Sequence, residues 1–249
     1  MGTMQWREHF ASSVRRDRRV SWDIGVHLPE PVREPVLASL QTFQRGLTSP
    51  GMHLRTRVRQ QCPAEYADCV DLYVQEKNIH AELLAQLLWR TGSEPTRRAM
   101  IDFAFRRVRR RFDWAREMMI LLTAEMASMP FFRVLSSSID DAVTRQVLES
   151  IMADQSYHLG FHIDHLRPEL EERDNMERLV LQQAWSAMFG SLLGVIMVDN
   201  RDVFRALGYE RLTYWTDAWN LFAQVQSGLT GSPHLASVIG RDPRLKFAL

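Results

Sequence analysis

Two short stretches of this sequence place ionisable side chains at helical spacing inside otherwise apolar segments. The first reads Glu76-Lys77-Asn78-Ile79-His80, the second Asp154-Gln155-Ser156-Tyr157-His158-Leu159-Gly160-Phe161-His162. In each, an acid precedes a histidine by four residues, a spacing that puts both side chains on one face of a helix. Between them lies Glu125, on a stripe formed by Met118, Leu122, Met129 and Phe132. A carboxylate in the middle of an apolar stripe must find a partner or change its charge state. Helical bundles build metal sites in this setting, from Glu-x-x-His pairs on two helices and a single Glu on each of two others.

The elements that must position these residues are helical throughout. No stretch alternates with period two. A first long helix starts near Pro29, with Val36, Leu40, Phe43 and Leu47 on one face, and Ser49-Pro50-Gly51 breaks it before Met52–Arg59 resumes. A second runs from about Pro63 to Arg90, roughly 42 Å, which suits a long bundle. A third system covers Thr96–Ser136 with a break near Arg111–Asp113. A fourth starts at the caps Ser138/Asp140 and reaches about Arg167, where Pro168 interrupts. A fifth carries an uncharged run and ends near Gly208; a sixth spans Glu210–Gln226. The sequence therefore predicts one all-α domain over residues 1–249: a core bundle at about 29–167, C-terminal helices at about 168–226 and an irregular tail at 227–249.

Composition bounds the function classes. The 249 residues are 45% hydrophobic and 24% charged with a net charge of +1, which gives no support to nucleic-acid binding. Only Cys62 and Cys69 are present, so a disulfide framework is excluded and a reducing cytoplasm is the expected compartment. The N-terminal stretch has no apolar core of a signal peptide. The uncharged run Leu179–Val198 reaches membrane-spanning length, but it carries Gln182 and Gln183, which lipid would leave unpartnered. It reads as a buried core helix with Gly190 and Gly194 allowing close packing, and no membrane partner is expected. The basic stretch Arg106–Arg111 reads as a solvated face or subunit contact, and a homodimer is expected. Of the basic residues only two are lysines, Lys77 and Lys246, against 29 arginines.

The layout resembles the ferritin-like superfamily of di-iron carboxylate proteins, in particular its oxygenase-type branch, over roughly Pro29 to Phe222. Asp154-Gln-Ser-Tyr-His158-Leu-Gly-Phe-His162 is similar to the family's Asp-Glu-x-x-His-x-x-Phe-His string. Gln75-Glu-Lys-Asn-Ile-His80-Ala-Glu resembles its Glu-Glu-x-x-His-Ala, and Leu122-Thr-Ala-Glu125 its third-helix Glu. Phe43-Gln-Arg-Gly-Leu47 resembles a first-helix stretch that usually ends in Glu. The resemblance implies a ferritin-like long four-helix bundle with additional C-terminal helices.

Carried over residue by residue, the six ligand positions become Leu47, Lys77, His80, Glu125, Gln155 and His158, so three of four carboxylates are replaced. Di-iron sites need anionic oxygen ligands. The leading expectation is thus a small-molecule enzyme, biosynthetic in type, that needs no cofactor. Lys77 would be its cation or base, Glu125 the partner, and His80 and His158 proton carriers. Leu47, Tyr73, Gln155, Tyr157 and His162 would line the pocket. The same scaffold tolerates such replacement in the metal-free class of ribonucleotide reductase radical subunits. A second reading is an iron- or manganese-dependent oxidase or oxygenase with ligands shifted to Glu76, His80, Glu125, Asp154 and His158. Against it, Glu76 and Asp154 would face water and tie to nearby Arg. A third is a non-catalytic partner protein that interacts through the helices after residue 168. His162 and His165, each taken alone, read as satisfied helix histidines.

Overall fold

A computed structural model of the chain describes residues 1–48, 51–95 and 113–230. These form helices α1 (Thr3–Ser13), α2 (Glu30–Leu47), α3 (Met52–Gln61), α4 (Ala64–Arg90), α5 (Trp114–Ser138), α6 (Ala142–Glu171), α7 (Asn175–Asp199), α8 (Arg201–Ala206) and α9 (Arg211–Leu229), with a 3-10 turn at Trp22–Ile24. No strand occurs among the described residues, whose regular structure is all helical. The expected break at Ser49-Pro50, the start of the third system, the Arg106–Arg111 stretch, Lys246 and most of the tail lie outside the described residues.

Local signals set the helix ends. Asp113 and Asp141 cap α5 and α6 by accepting from Arg116 N and Thr144 N, satisfying backbone donors that the first turn leaves open. The cap of α6 is thus Asp141 instead of Ser138 or Asp140. Pro168 does not end that helix, which continues to Glu171. A proline in the last turn removes one backbone bond but leaves the apolar face intact, and Leu166 and Leu170 keep packing. The expected fifth helix is two: α7 stops at Asn200 and α8 follows.

The core sits where α4, α5 and α6 meet. The most extensive helix contact joins α5 to α6; α2 packs on α4, and α9 closes over α5 and α6. In α5, 89% of the most apolar 18-residue window is buried. Each Leu or Phe buried there contributes roughly 1.5–3 kcal/mol. Pro130 interrupts the backbone bonding of α5, and Tyr214 of α9 donates its hydroxyl to the Ala127 carbonyl at 3.0 Å, tying α9 to that turn.

Two departures from the sequence reading bear on the site. The N-terminal stretch contains α1, which buries Trp6, Phe10 and Ser13 at i, i+4 and i+7. Trp6 rests against Gly160 of α6, where a Cβ would come within 3.2 Å of the indole. Second, α7 is not a buried core helix. It buries Trp185, Phe189, Leu193 and Ile196, and only 22% of its most apolar window is covered. Composition made the segment apolar but could not say whether anything covers it. Of its two glycines, Gly190 faces Trp219 while Gly194 has open space. Both α5 and α7 are long and apolar enough to cross a membrane by length and composition alone.

Candidate functional site

Three helices, the end of α1 and the loop after it build the site. Helix α4 supplies Tyr73, Glu76, Lys77 and His80, α5 supplies Glu125, and α6 supplies Asp154, His158 and His162. Glu76, His80, Glu125, Asp154, His158 and His162 are buried, as are Tyr73 and Gln155. Glu76 and Asp154 therefore do not face water, although arginines do hold them. Those arginines come from the segment after α1, residues that sequence reasoning left without a role.

Glu125 is the centre of one half. Its Oε1 accepts from the Tyr73 hydroxyl at 2.9 Å, from Lys77 Nζ at 3.0 Å and from His158 Nδ1 at 3.2 Å. The other nitrogen of His158 lies 2.8 Å from Glu76 Oε2. A carboxylate can only accept, so both ring nitrogens of His158 must donate and the ring is an imidazolium. Burial opposes that charge, but Glu125 and Glu76 outweigh it and raise the pKa to about 9. Burial would likewise raise Glu125; the Lys77 ammonium and His158 overcome it and hold the acid well below its usual range.

Arg18 is the centre of the other half. Its Nη2 donates to Asp154 Oδ2 at 2.9 Å and to Glu76 Oε1 at 3.2 Å. Ser13 donates to Glu76, and Arg16 donates to the second oxygen of Asp154. His80 Nε2 lies 3.0 Å from Asp154 Oδ2 and must be its donor. Burial lowers the His80 pKa despite Asp154, so the ring is neutral. Asp154 is pulled far down, its burial outweighed by His80, Arg18 and Arg16. Glu76 is lowered too, with His158 overcoming burial. The buried charges balance: carboxylates Glu76, Glu125 and Asp154 face Lys77, Arg18 and the His158 imidazolium.

Not every group is satisfied. Glu125 Oε2, both nitrogens of His162, His80 Nδ1 and Gln155 Oε1 are buried without a hydrogen bond. His162 Nε2 stands 3.5 Å from Glu125 Oε2. His162 thus pairs loosely with Glu125, whereas His165 holds Nδ1 2.9 Å from the Phe161 carbonyl. No family model, curated protein or solved structure matches the chain. The chemistry must be read from the residues themselves.

The remaining expected pocket residues are dispersed. Gln155 donates to Ser128 Oγ at 3.1 Å. Tyr157 packs its ring on His9 of α1, ring centroids 4.2 Å apart at a tilt of 35°. Leu47 ends α2, half-buried against the core. The five residues of the shifted metal set, Glu76, His80, Glu125, Asp154 and His158, do converge. In type they suit iron or manganese. As placed they do not fit one: His158 has no free lone pair, and Arg18, Arg16 and Lys77 hold the carboxylate oxygens. Among the described residues no group of three or more acidic, histidine or cysteine side chains is arranged to hold a metal ion.

The Lys77 side chain is 13% exposed where the carboxylates are at 2% or less, and Arg16, at 46%, is the member nearest solvent. The larger surface groove, about 530 Å³, runs along α5 and α7 past Met119, Val180, Trp185 and Met188, and no residue of the charged cluster lines it. Arg18 and Arg16 had no signal in periodicity, because they lie in a loop. The only trace was the Trp6, Phe10, Ser13 spacing, which marks a helix that must dock.

Proposed function

We propose that this chain is a ferritin-like helical protein that works without a metal, as an acid–base enzyme on a small molecule. The observation that carries the reading is the Lys77–Glu125 pair, 3.0 Å apart, in which the Lys77 side chain is partly exposed and Glu125 is buried. The ammonium can deliver a proton to a bound substrate, and the deprotonated amine can take one up or add to a carbonyl to form an imine with loss of water. Glu125 holds the ammonium in place, and His158, bridging Glu125 and Glu76, links it to the interior charges.

The near absence of lysine gives a clean test. Treatment with a small aromatic aldehyde and borohydride labels accessible amines, and peptide mass mapping separates Lys77, Lys246 and the N-terminal amine. Lys77 is expected to be labelled in the native protein and protected by substrate-like acids. Labelling of Lys246 alone would sink the reading.

A second reading, a protein that acts by association, is favoured by α7. Met176, Leu179, Val180, Val195 and Val198 are exposed along it. The occupant that fits is a second copy of this chain. Antiparallel pairing of two α7 helices would oppose no like charges over Leu179–Val198, and would set Arg178 near the partner's helix end, where Asp199 and Asp202 lie. Light scattering should then give twice the chain mass.

A further inference from the structure

Arg18 is the most heavily engaged side chain in the cluster. Only 6% of it is exposed. Nη2 reaches both Glu76 and Asp154, Nε lies 3.3 Å from Asp154 Oδ2, and Nη1 donates to the carbonyls of Ser13 and Arg16 at 3.1 and 3.2 Å. Glu76 and Asp154 come from different helices, and Arg18 Nη2 is shared between them. Two carboxylates sharing one buried position cannot both stay ionised without a cation between them. A divalent ion is one solution and a guanidinium another. The guanidinium is planar, permanently charged and supplies several donors in fixed directions.

We propose that Arg18 is a tethered cation standing where a divalent metal ion would otherwise join Glu76 to Asp154, and that the segment following α1 masks a latent metal site. The site beneath consists of Glu76, His80, Asp154 and His158, with Glu125 and His162 adjoining. Its carboxylate and imidazole donors suit Mn²⁺, Fe²⁺ or Co²⁺. The masking is built in three places. Trp6 seats α1 on Gly160, Ser13 bonds Glu76, and Arg16 reaches Asp154 from a half-exposed position. With Arg18 gone, Glu76 and Asp154 lose their shared cation. His80 Nδ1 and the His162 nitrogens are buried without a hydrogen bond, with His162 Nε2 3.5 Å from Glu125 Oε2. This inference rests on the metal-free reading of the site but not on catalysis.

The test uses the full chain and Co²⁺ or Mn²⁺ alone. Wild type is expected to carry no stoichiometric metal through gel filtration and to show no change in melting temperature with either ion. Arg18→Met, which keeps the apolar stem, should melt lower than wild type in EDTA. Added Co²⁺ should raise its melting temperature by on the order of 5 °C and produce ligand-field absorption. Arg18→Lys, retaining a charge, should stay metal-free. Wild type that holds one metal or more per chain overturns the proposal. So does Arg18→Met without a Co²⁺ response, or one that stays insoluble when expressed with Mn²⁺. Aldehyde labelling of Lys77 reads the catalytic proposal separately, since it depends on neither metal nor Arg18.

Discussion

Around Glu125 the protein keeps carboxylates, imidazoles, an ammonium and a guanidinium away from water, whereas along α7 it turns valine, leucine and methionine towards it. Both arrangements reverse the ordinary distribution of residue types. They differ in how they are resolved. The interior charges find opposite charges within the same chain, so Lys77 meets Glu125 and Arg18 meets Glu76 and Asp154. The outer face of α7 finds no such cover among the described residues. Lack of charge on a surface directs attention outward, to another molecule. Charge in a core directs it inward, to a network whose members depend on one another.

That dependence sets the largest expected effect. Glu125→Ala leaves Lys77, His158 and Tyr73 without their common acceptor and should cost about 3–5 kcal/mol of unfolding free energy in urea titrations. Coupled Lys77→Met and Glu125→Leu should cost much less than the two single changes added together. Full additivity would mean that the pair does not act as a unit.

The next effect is a pH dependence that the α7 face lacks. His158 is raised from its ordinary value to about 9 in the folded protein. Its stabilisation is fully present below the unfolded value near 6.5 and is lost as pH rises through about 9, on the order of 3 kcal/mol. The lowered His80 and His162 act oppositely, since protonation of the unfolded chain drains stability as pH falls below about 6.5. The lowered Glu76, Glu125 and Asp154 deepen the loss in stronger acid. Stability should therefore peak near neutrality. Measured by chemical denaturation, His158→Leu should flatten the alkaline side; an unchanged slope there would break the assignment.

On α7 the effects on folding are small and those on association large. Val195→Arg should change unfolding free energy by less than about 0.5 kcal/mol while converting a dimer to monomer in light scattering. The smallest effect comes from Gly194→Ala. With open space at the Cβ, it should stabilise the isolated chain by up to about 1 kcal/mol. A loss instead would place a neighbour against that glycine.

The sequence carried the helix layout well, because periodicity and caps are local. Ala64–Arg90 falls within a residue of expectation, and the three site helices are the expected ones. It was less informative where the outcome depends on contacts far along the chain. Glu76 and Lys77, or Asp154 and Gln155, are neighbours about 100° apart on a helix, and both members of each pair end up directed into the protein. Only the partner helices decide which of them meets which group. Arg18 was invisible because nothing in a loop of arginines marks one of them as buried. For α7, an apolar run was read as interior when hydropathy records only preference, not cover.

The separation of Arg18 from its partners along the chain has a consequence in time. It lies 58 residues from Glu76 and 136 from Asp154. During synthesis, Arg18 leaves the ribosome long before either acid, at rates of roughly 5–20 residues per second. Closing a loop of that length gains nothing until both ends are structured. The clasp must then form late, after α4 and α6 have paired. Until it closes, Glu76 and Asp154 stand without the guanidinium they share in the folded protein.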